Sequence, residues 1–196
     1  MTNGITNILI VGVGGQGTIL AGKALARAAV LSGQDVKFSE VHGMAQRGGS
    51  VVTQVRFGKQ VYSPIVESGT ADFMLAFEQL EGLRWAHMLK PGGTMIVSTQ
   101  VIEPMPVLTG AATYPEEIFT RLKHHGNIIA MEALDLAIKA GNARTSNVVL
   151  LGCLARAMNL KREVWDLAMQ DTIPPMHFEV NKKAFQLGWE QKGKGD

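Results

Sequence analysis

One cysteine in 196 residues is the first constraint on this chain. Cys153 alone closes no internal disulfide, and the chain by itself cannot hold a cysteine-ligated iron–sulfur cluster. It sits in the apolar run Val148 to Leu154, where a buried, inert thiol is expected rather than a nucleophile. Charge is also sparse. Charged residues make up 18% and the formal net charge is +2, too mild a balance to imply nucleic acid. The basic residues are scattered, except for Lys182-Lys183 and the tail residues Lys192 and Lys194, which read as a solvated, frayed end. No apolar run reaches the roughly 18 residues that argue for a membrane-spanning helix. Met1 to Asn7 lacks a basic segment followed by an apolar one, so no signal peptide is expected. The expectation is a cytoplasmic protein with no membrane partner.

What is present is a core. Hydrophobic residues make up 46%, which supports burial and argues against disorder. The length fits one domain over residues 1–196, with a helical C-terminal portion from about residue 144. The stretch that organises it is Ile8 to Gly17. Four apolar residues run into Gly12, Gly14, Gly15 and Gly17, and a helical pattern follows over residues 16–32. That is the order of a buried strand, a tight turn and a helix N-terminus. Gly12, Gly14 and Gly17 satisfy G-x-G-x-x-G, and the free N–H groups of the helix favour an anion. A nucleotide-binding loop and a turn that merely packs the helix on the sheet are both compatible with so short a motif. Residues 35–40 read as a second strand, giving a β-α-β unit with a parallel pair. Glu40 then falls where a dinucleotide fold places its ribose-binding acid. This carries the alternative of a free-standing NAD-dependent dehydrogenase, against which stand the lack of a substrate domain and of a catalytic Lys/Tyr or His/Asp pair.

The loop that follows shifts the balance. Glu40 to Ser50 interleaves His42, Gln46, Arg47 and Ser50 with Gly43, Gly48 and Gly49 and has no apolar period. Glycines let a backbone fold closely around something. Arg47 could grip a carboxylate or phosphate in bidentate fashion. His42 could transfer a proton or only donate a hydrogen bond. A ligand contact and a subunit contact are both expected here and are hard to separate. Gly14, Gly15, Gln16, Gly17, Glu40, His42, Gln46, Arg47, Gly48, Gly49 and Ser50 are therefore the candidate ligand or partner-subunit contacts. No catalytic residue is assigned, and no metal site is expected.

The remaining pattern is α/β. Residues 51–57 alternate as a strand, and Gly58 to Gln60 turns into a short partner strand at 61–63, so the sheet should be mixed. Residues 71–77 form a buried strand, and Glu78 and Glu81 suit the macrodipole of the helix after it. Lys90 to Gly93 reads as a turn before a strand at 94–98. Residues 99–114 read as a connection with a short strand near 105–109, and Pro115 as the opening of a helix carrying Glu116 and Glu117 in its first turn. His124-His125 lies at that helix's end and reads as capping rather than metal binding. A short strand at 127–130 and a helix from Met131 to Ala140 follow. From Arg144 the chain is helical, with residues 147–159 apolar nearly all round. Ala155, Met158, Trp165, Leu167 and Met169 read as core. The sum is an α/β, three-layer Rossmann-like mixed sheet with helices on both faces and a helical C-terminal region.

With these residues in hand, the sequence resembles the gamma domain of the 2-oxoacid:ferredoxin oxidoreductases over nearly its whole length. The markers are Gly12 to Gly17, Ser39 to Ser50, Val55 to Gly58 and Ser63-Pro64. Gly69 to Asp72, Phe77-Glu78, Leu89 to Gly93, Tyr114-Pro115 and Asn147 to Gly152 agree. The His42 to Ser50 stretch resembles the arylpyruvate (indolepyruvate) type rather than members acting on pyruvate or 2-oxoglutarate. The resemblance implies an accessory beta- or gamma-type subunit. Its complex oxidatively decarboxylates a 2-oxoacid to an acyl-CoA and reduces ferredoxin, with coenzyme A as co-substrate. Thiamine diphosphate, magnesium and iron–sulfur clusters would sit in a larger partner subunit. This chain lacks the Gly-Asp-Gly…Asn-Asn signature for the first two and the cysteines for the third, so it should carry no cofactor and be inactive alone. Ferredoxin would be reached through the complex, in a homodimer or hetero-oligomer. A subunit that only stabilises the larger one remains a further alternative.

Overall fold

The computed structural model describes residues 4–42, 48–158 and 160–191. Its centre is β1 (Thr6–Val13). Ile8, Leu9, Ile10 and Val11 are all fully buried, because alternate side chains enter two different cores. Ile8 and Ile10 join one hydrophobic cluster and Leu9 and Val11 the other, as the two-residue period of a strand covered on both faces requires. Six strands lie in the order β2-β3-β1-β4-β5-β6. Those not yet placed are β2 (Asp35–His42), β3 (Ser50–Gly58), β4 (Ala71–Ala76), β5 (Leu89–Ser98) and β6 (Asn127–Met131). β1, β4, β5 and β6 pair in parallel, while β3 is antiparallel to both β1 and β2.

One face carries α1 (Thr18–Leu31), α5 (Ala133–Ala140), α6 (Ser146–Ala157), α7 (Arg162–Thr172) and α8 (Phe178–Glu190). The other carries α2 (Gln79–Trp85), a 3₁₀ turn after it and α4 (Ile118–Leu122). The three-layer α/β architecture with a mixed sheet and a helical C-terminal region is thus as the sequence predicts. On α1 the buried stripe is the small one, Ala21, Gly22, Ala24, Leu25, Ala28 and Ala29. A Cβ on Gly22 would press on Phe38 and Thr53, so the helix lies close on β2 and β3. Ile19, 45% exposed, is left pointing outward.

Several expectations are corrected. β1 and β2 run parallel but do not pair, because β3 inserts between them. β3 is buried on both faces, whereas β2 is only half-buried and takes the edge. Residues 61–63 form no strand. Their backbone groups go to side chains instead: Val61 N–H donates to Asp35 Oδ2 (2.8 Å), and Arg56 Nη1 donates to the carbonyls of Ser63 (2.9 Å) and Ile65 (3.0 Å). The strand expected near 105–109 is a helical turn, α3 (Met105–Leu108), with proline in its first positions, where a missing N–H costs nothing. Pro115 does not open a helix. Glu117 is left-handed at φ 52° and α4 begins after it. The turn at Lys90 to Gly93 lies inside β5 as an irregularity, since Ala71 pairs with Leu89 but Phe73 with Thr94. Leu167 is 52% exposed and not core.

Candidate functional site

The turn after β1 is fixed from three directions. Gln16 N–H donates to Val13 O (3.1 Å), and Gly15 and Gly17 take φ of 102° and 84°. Those values favour glycine. Gly17 is the N-cap of α1 and offers no side chain to its first N–H groups, which have no intrahelical acceptor. Behind the turn, Asn147 at the start of α6 donates through Nδ2 to Gly17 O at 3.3 Å. In front of it, Gly14 N–H donates to Gly49 O (2.8 Å) and Gly48 N–H to Gly14 O (3.4 Å). The end of the sequence-marked loop therefore lies against the glycine turn.

Between the turn and the sheet edge is a cleft of about 350 Å³. Gly14, Gly15, Gly17, Thr18 and Ile19 form one wall, Glu40 and Val41 the other, and Val51 to Thr53 the floor. The positive end of α1 and a carboxylate thus face the same space, which suits a ligand with an anionic group and a hydrogen-bond donor.

Gln16 lines a different, smaller hollow of about 250 Å³ with Arg144, Ser146 and Asn147, and its carboxamide is committed inside the protein. Oε1 accepts from Val13 N–H (2.8 Å), and Nε2 donates to Phe77 O (3.0 Å) and Gln100 Oε1 (3.3 Å). It ties together the chain ends after β1, β4 and β5. That is the switch point of the sheet, where open α/β folds bind a dinucleotide. The insertion of β3 also puts Glu40 two strands from β1, roughly 9 to 10 Å across the ladder rather than about 4.8 Å. Both features weaken the dehydrogenase alternative.

Ser50 points away from the cleft. Alternation along β3 sends it to the α2 face, where its hydroxyl donates to Glu81 Oε2 and Trp85 Nε1 donates to it at 3.4 Å. Glu81 Oε1 also takes Arg84 Nη1 at 2.6 Å. Glu78 caps α2 by accepting from Glu81 N–H (2.9 Å), and Tyr114 Oη donates to its other oxygen at 2.6 Å. Burial, more than the neighbouring Glu78 charge, raises the Glu81 carboxyl above its ordinary value, against the pull of Ser50 and Arg84. Burial and the bond to Glu78 likewise raise the Tyr114 phenol. The sequence marks Ser50 as a candidate contact and Glu78 and Glu81 only as suiting the helix macrodipole; that they form one cluster with Tyr114 and Arg84 is not visible there. The Cys153 thiol is buried and pushed up to about 11, which agrees with an inert cysteine.

The structure therefore brings Gly14, Gly15, Gly17 and Glu40 to one cleft and sets Gly48 and Gly49 beside it. Gln16 and Ser50 turn elsewhere. Gln46, Arg47 and the His42 side chain lie outside the described residues. His124 and His125 are exposed after α4, and among the described residues no three or more His, Cys, Asp or Glu side chains are grouped for a metal ion. No helix among them is long and apolar enough to cross a membrane.

Compared with known proteins, residues 7–191 match the family model described as pyruvate ferredoxin/flavodoxin oxidoreductase. The chain belongs to this family. It is 44% identical to the indolepyruvate oxidoreductase subunit IorB of Pyrococcus horikoshii, over 93% of each chain. The solved gamma subunit of a keto/oxoacid ferredoxin oxidoreductase from Geobacter sulfurreducens superposes with a TM-score of 0.72 at 26% identity, over 94% of this chain and 96% of that one. The fold also recurs in a 2-oxoglutarate:ferredoxin oxidoreductase from Magnetococcus marinus, at a TM-score of 0.74 and 21% identity, where 95% of this chain covers 31% of the other. The expected class, a small subunit of a 2-oxoacid:ferredoxin oxidoreductase, is borne out.

Proposed function

We propose that this chain is the accessory subunit of an indolepyruvate-type oxidoreductase, and that its cleft receives the phosphate-bearing end of coenzyme A. The observation that carries the second part is the uncapped N-terminus of α1, opening with Gly14 and Gly15 onto a space of about 350 Å³ whose far wall holds Glu40. N–H groups there would hold a phosphate, and Glu40 would accept from a hydroxyl or amine of the same ligand. The arylpyruvate preference is supported by the 44% identity to an indolepyruvate subunit against 28% to a 2-oxoglutarate synthase subunit of Methanocaldococcus jannaschii. Decarboxylation and electron transfer fall to a larger partner. With one cysteine, this chain cannot hold an iron–sulfur cluster by itself, and thiamine diphosphate would bring the carbanion chemistry in the partner. Gln46, Arg47 and His42 belong to the same proposed contact, toward ligand or partner.

The deciding variant is Ile19→Asp in the complex reconstituted with its large subunit. An aspartate in the first turn of α1 suits the macrodipole and leaves the fold intact, but repels an incoming phosphate. The Michaelis constant for coenzyme A should rise about tenfold, equivalent to about 1.4 kcal/mol of binding. An unchanged constant with normal assembly removes coenzyme A from the cleft. Loss of assembly without a kinetic defect in the residual complex assigns the cleft to the partner's backbone.

A further inference from the structure

Two buried carboxylates lie behind the site, and neither lines the cleft. Glu78 is 1% exposed and Glu81 3%. We propose that Glu81 is the positioning residue for Gly48 to Ser50, holding that segment against the glycine turn, which is itself one wall of the cleft. This role rests on the cleft being the ligand site.

The geometry runs through Ser50. It is the first residue of β3 and pairs with Val13, the residue before Gly14. The two residues preceding it, Gly48 and Gly49, make the backbone bonds to Gly14. Those bonds set the segment's distance from the turn on one side of the chain. Ser50's side chain sets it on the other, by donating to Glu81. Glu81 is itself held. Arg84 takes its second oxygen at 2.6 Å, and its backbone N–H is capped by Glu78, which Tyr114 fixes at 2.6 Å. The anchor therefore belongs to α2 and the connection before α4. A carboxylate is the side chain that can hold a hydroxyl and a guanidinium at once, and a charged acceptor makes the serine bond stronger than a neutral one would. Burying a charge is unfavourable, so hydrophobic filling alone gives no reason for an acid here.

The test uses the complex with its large subunit. Glu81→Gln keeps the shape and removes the charge; Glu81→Asp keeps the charge and shortens the reach. In Glu81→Gln, amide hydrogen exchange at Gly14 and Gly48 to Ser50 should quicken about tenfold, and the Michaelis constant for coenzyme A should rise by a similar factor with turnover held, the scale of one lost charge-assisted bond. Glu81→Asp should recover part of both. If Glu81→Gln shows wild-type exchange and kinetics while Ile19→Asp raises the constant, the cleft stands and the positioning role falls. If exchange quickens but neither variant alters the constant, the cleft reading falls, and the role with it. Should Glu81→Gln fail to assemble, Ser50→Ala removes the same bond from the other end and is read in the same way.

Discussion

Gly152 and Gly188 sit in surroundings opposite to those of Gly15. Where α6 and α8 cross, a Cβ on Gly188 would drive into the carbonyl of Val149, and one on Gly152 into that of Phe185. At Gly15 a Cβ would meet nothing within 4 Å. The first pair is glycine because protein fills the space. Gly15 is glycine because of its backbone angle, φ 102°, and the space beside it is open. Both read alike in a sequence. One is a packing device of the C-terminal helices, the other lines the cleft.

This contrast is broken most sharply at the crossing. Gly188→Ala forces two helix backbones apart, and overpacking of this kind costs about 3 kcal/mol or more when the obstacle is backbone rather than a movable side chain. Urea unfolding should show the loss, and a midpoint within error of wild type would mean that α6 and α8 slide freely. Gln16→Leu comes next. It strands the Val13 N–H and the Phe77 carbonyl, each a buried backbone group whose loss of a partner costs about 1–3 kcal/mol. Gly15→Ala should be milder, about 1–2 kcal/mol from the angle alone. It should separate from the other two by its kinetics, raising the Michaelis constant for coenzyme A beyond what its lowered melting temperature explains. If it only lowers stability, Gly15 answers to its backbone angle alone, and the open space beside it takes no coenzyme A.

How far the sequence reveals this arrangement depends on range. β1, its glycine turn and α1 are legible because the signal is local: an apolar run, glycines, then an alanine-rich helical period. The place of β3 between β1 and β2 is not, since a strand's neighbour is set by which faces the rest of the chain buries. Residues 61–63 look like a strand until Arg56 and Asp35 are seen to take their backbone groups. At the site, Gly14, Gly15, Gly17 and Glu40 are legible from motif spacing. The inward turn of Gln16 and the bond from Ser50 to Glu81 are not, because each joins residues far apart in the chain (Gln16 with Gln100, Ser50 with Glu81) and neither follows a period.

The smallest effect concerns charge rather than space. Burial raises the Glu81 carboxyl above the ordinary 4.5, so the folded protein keeps this proton to higher pH than the unfolded chain does. Stability from this group is then full below the unfolded value and is lost as pH rises through the folded one. Glutamine does not titrate. Relative to wild type, Glu81→Gln should therefore gain in melting temperature as pH rises from the ordinary 4.5 through the raised folded value, because only the wild-type side chain ionises. The clamp works in the opposite sense, because the ionised carboxylate is the form that accepts from both Ser50 and Arg84. A variant that melts no lower at neutral pH while its Gly48 to Ser50 amides exchange faster would show that the acid is kept for position, at a small cost in stability. A melting difference that is flat with pH would instead mean that Arg84 and Ser50 fully offset the burial of Glu81.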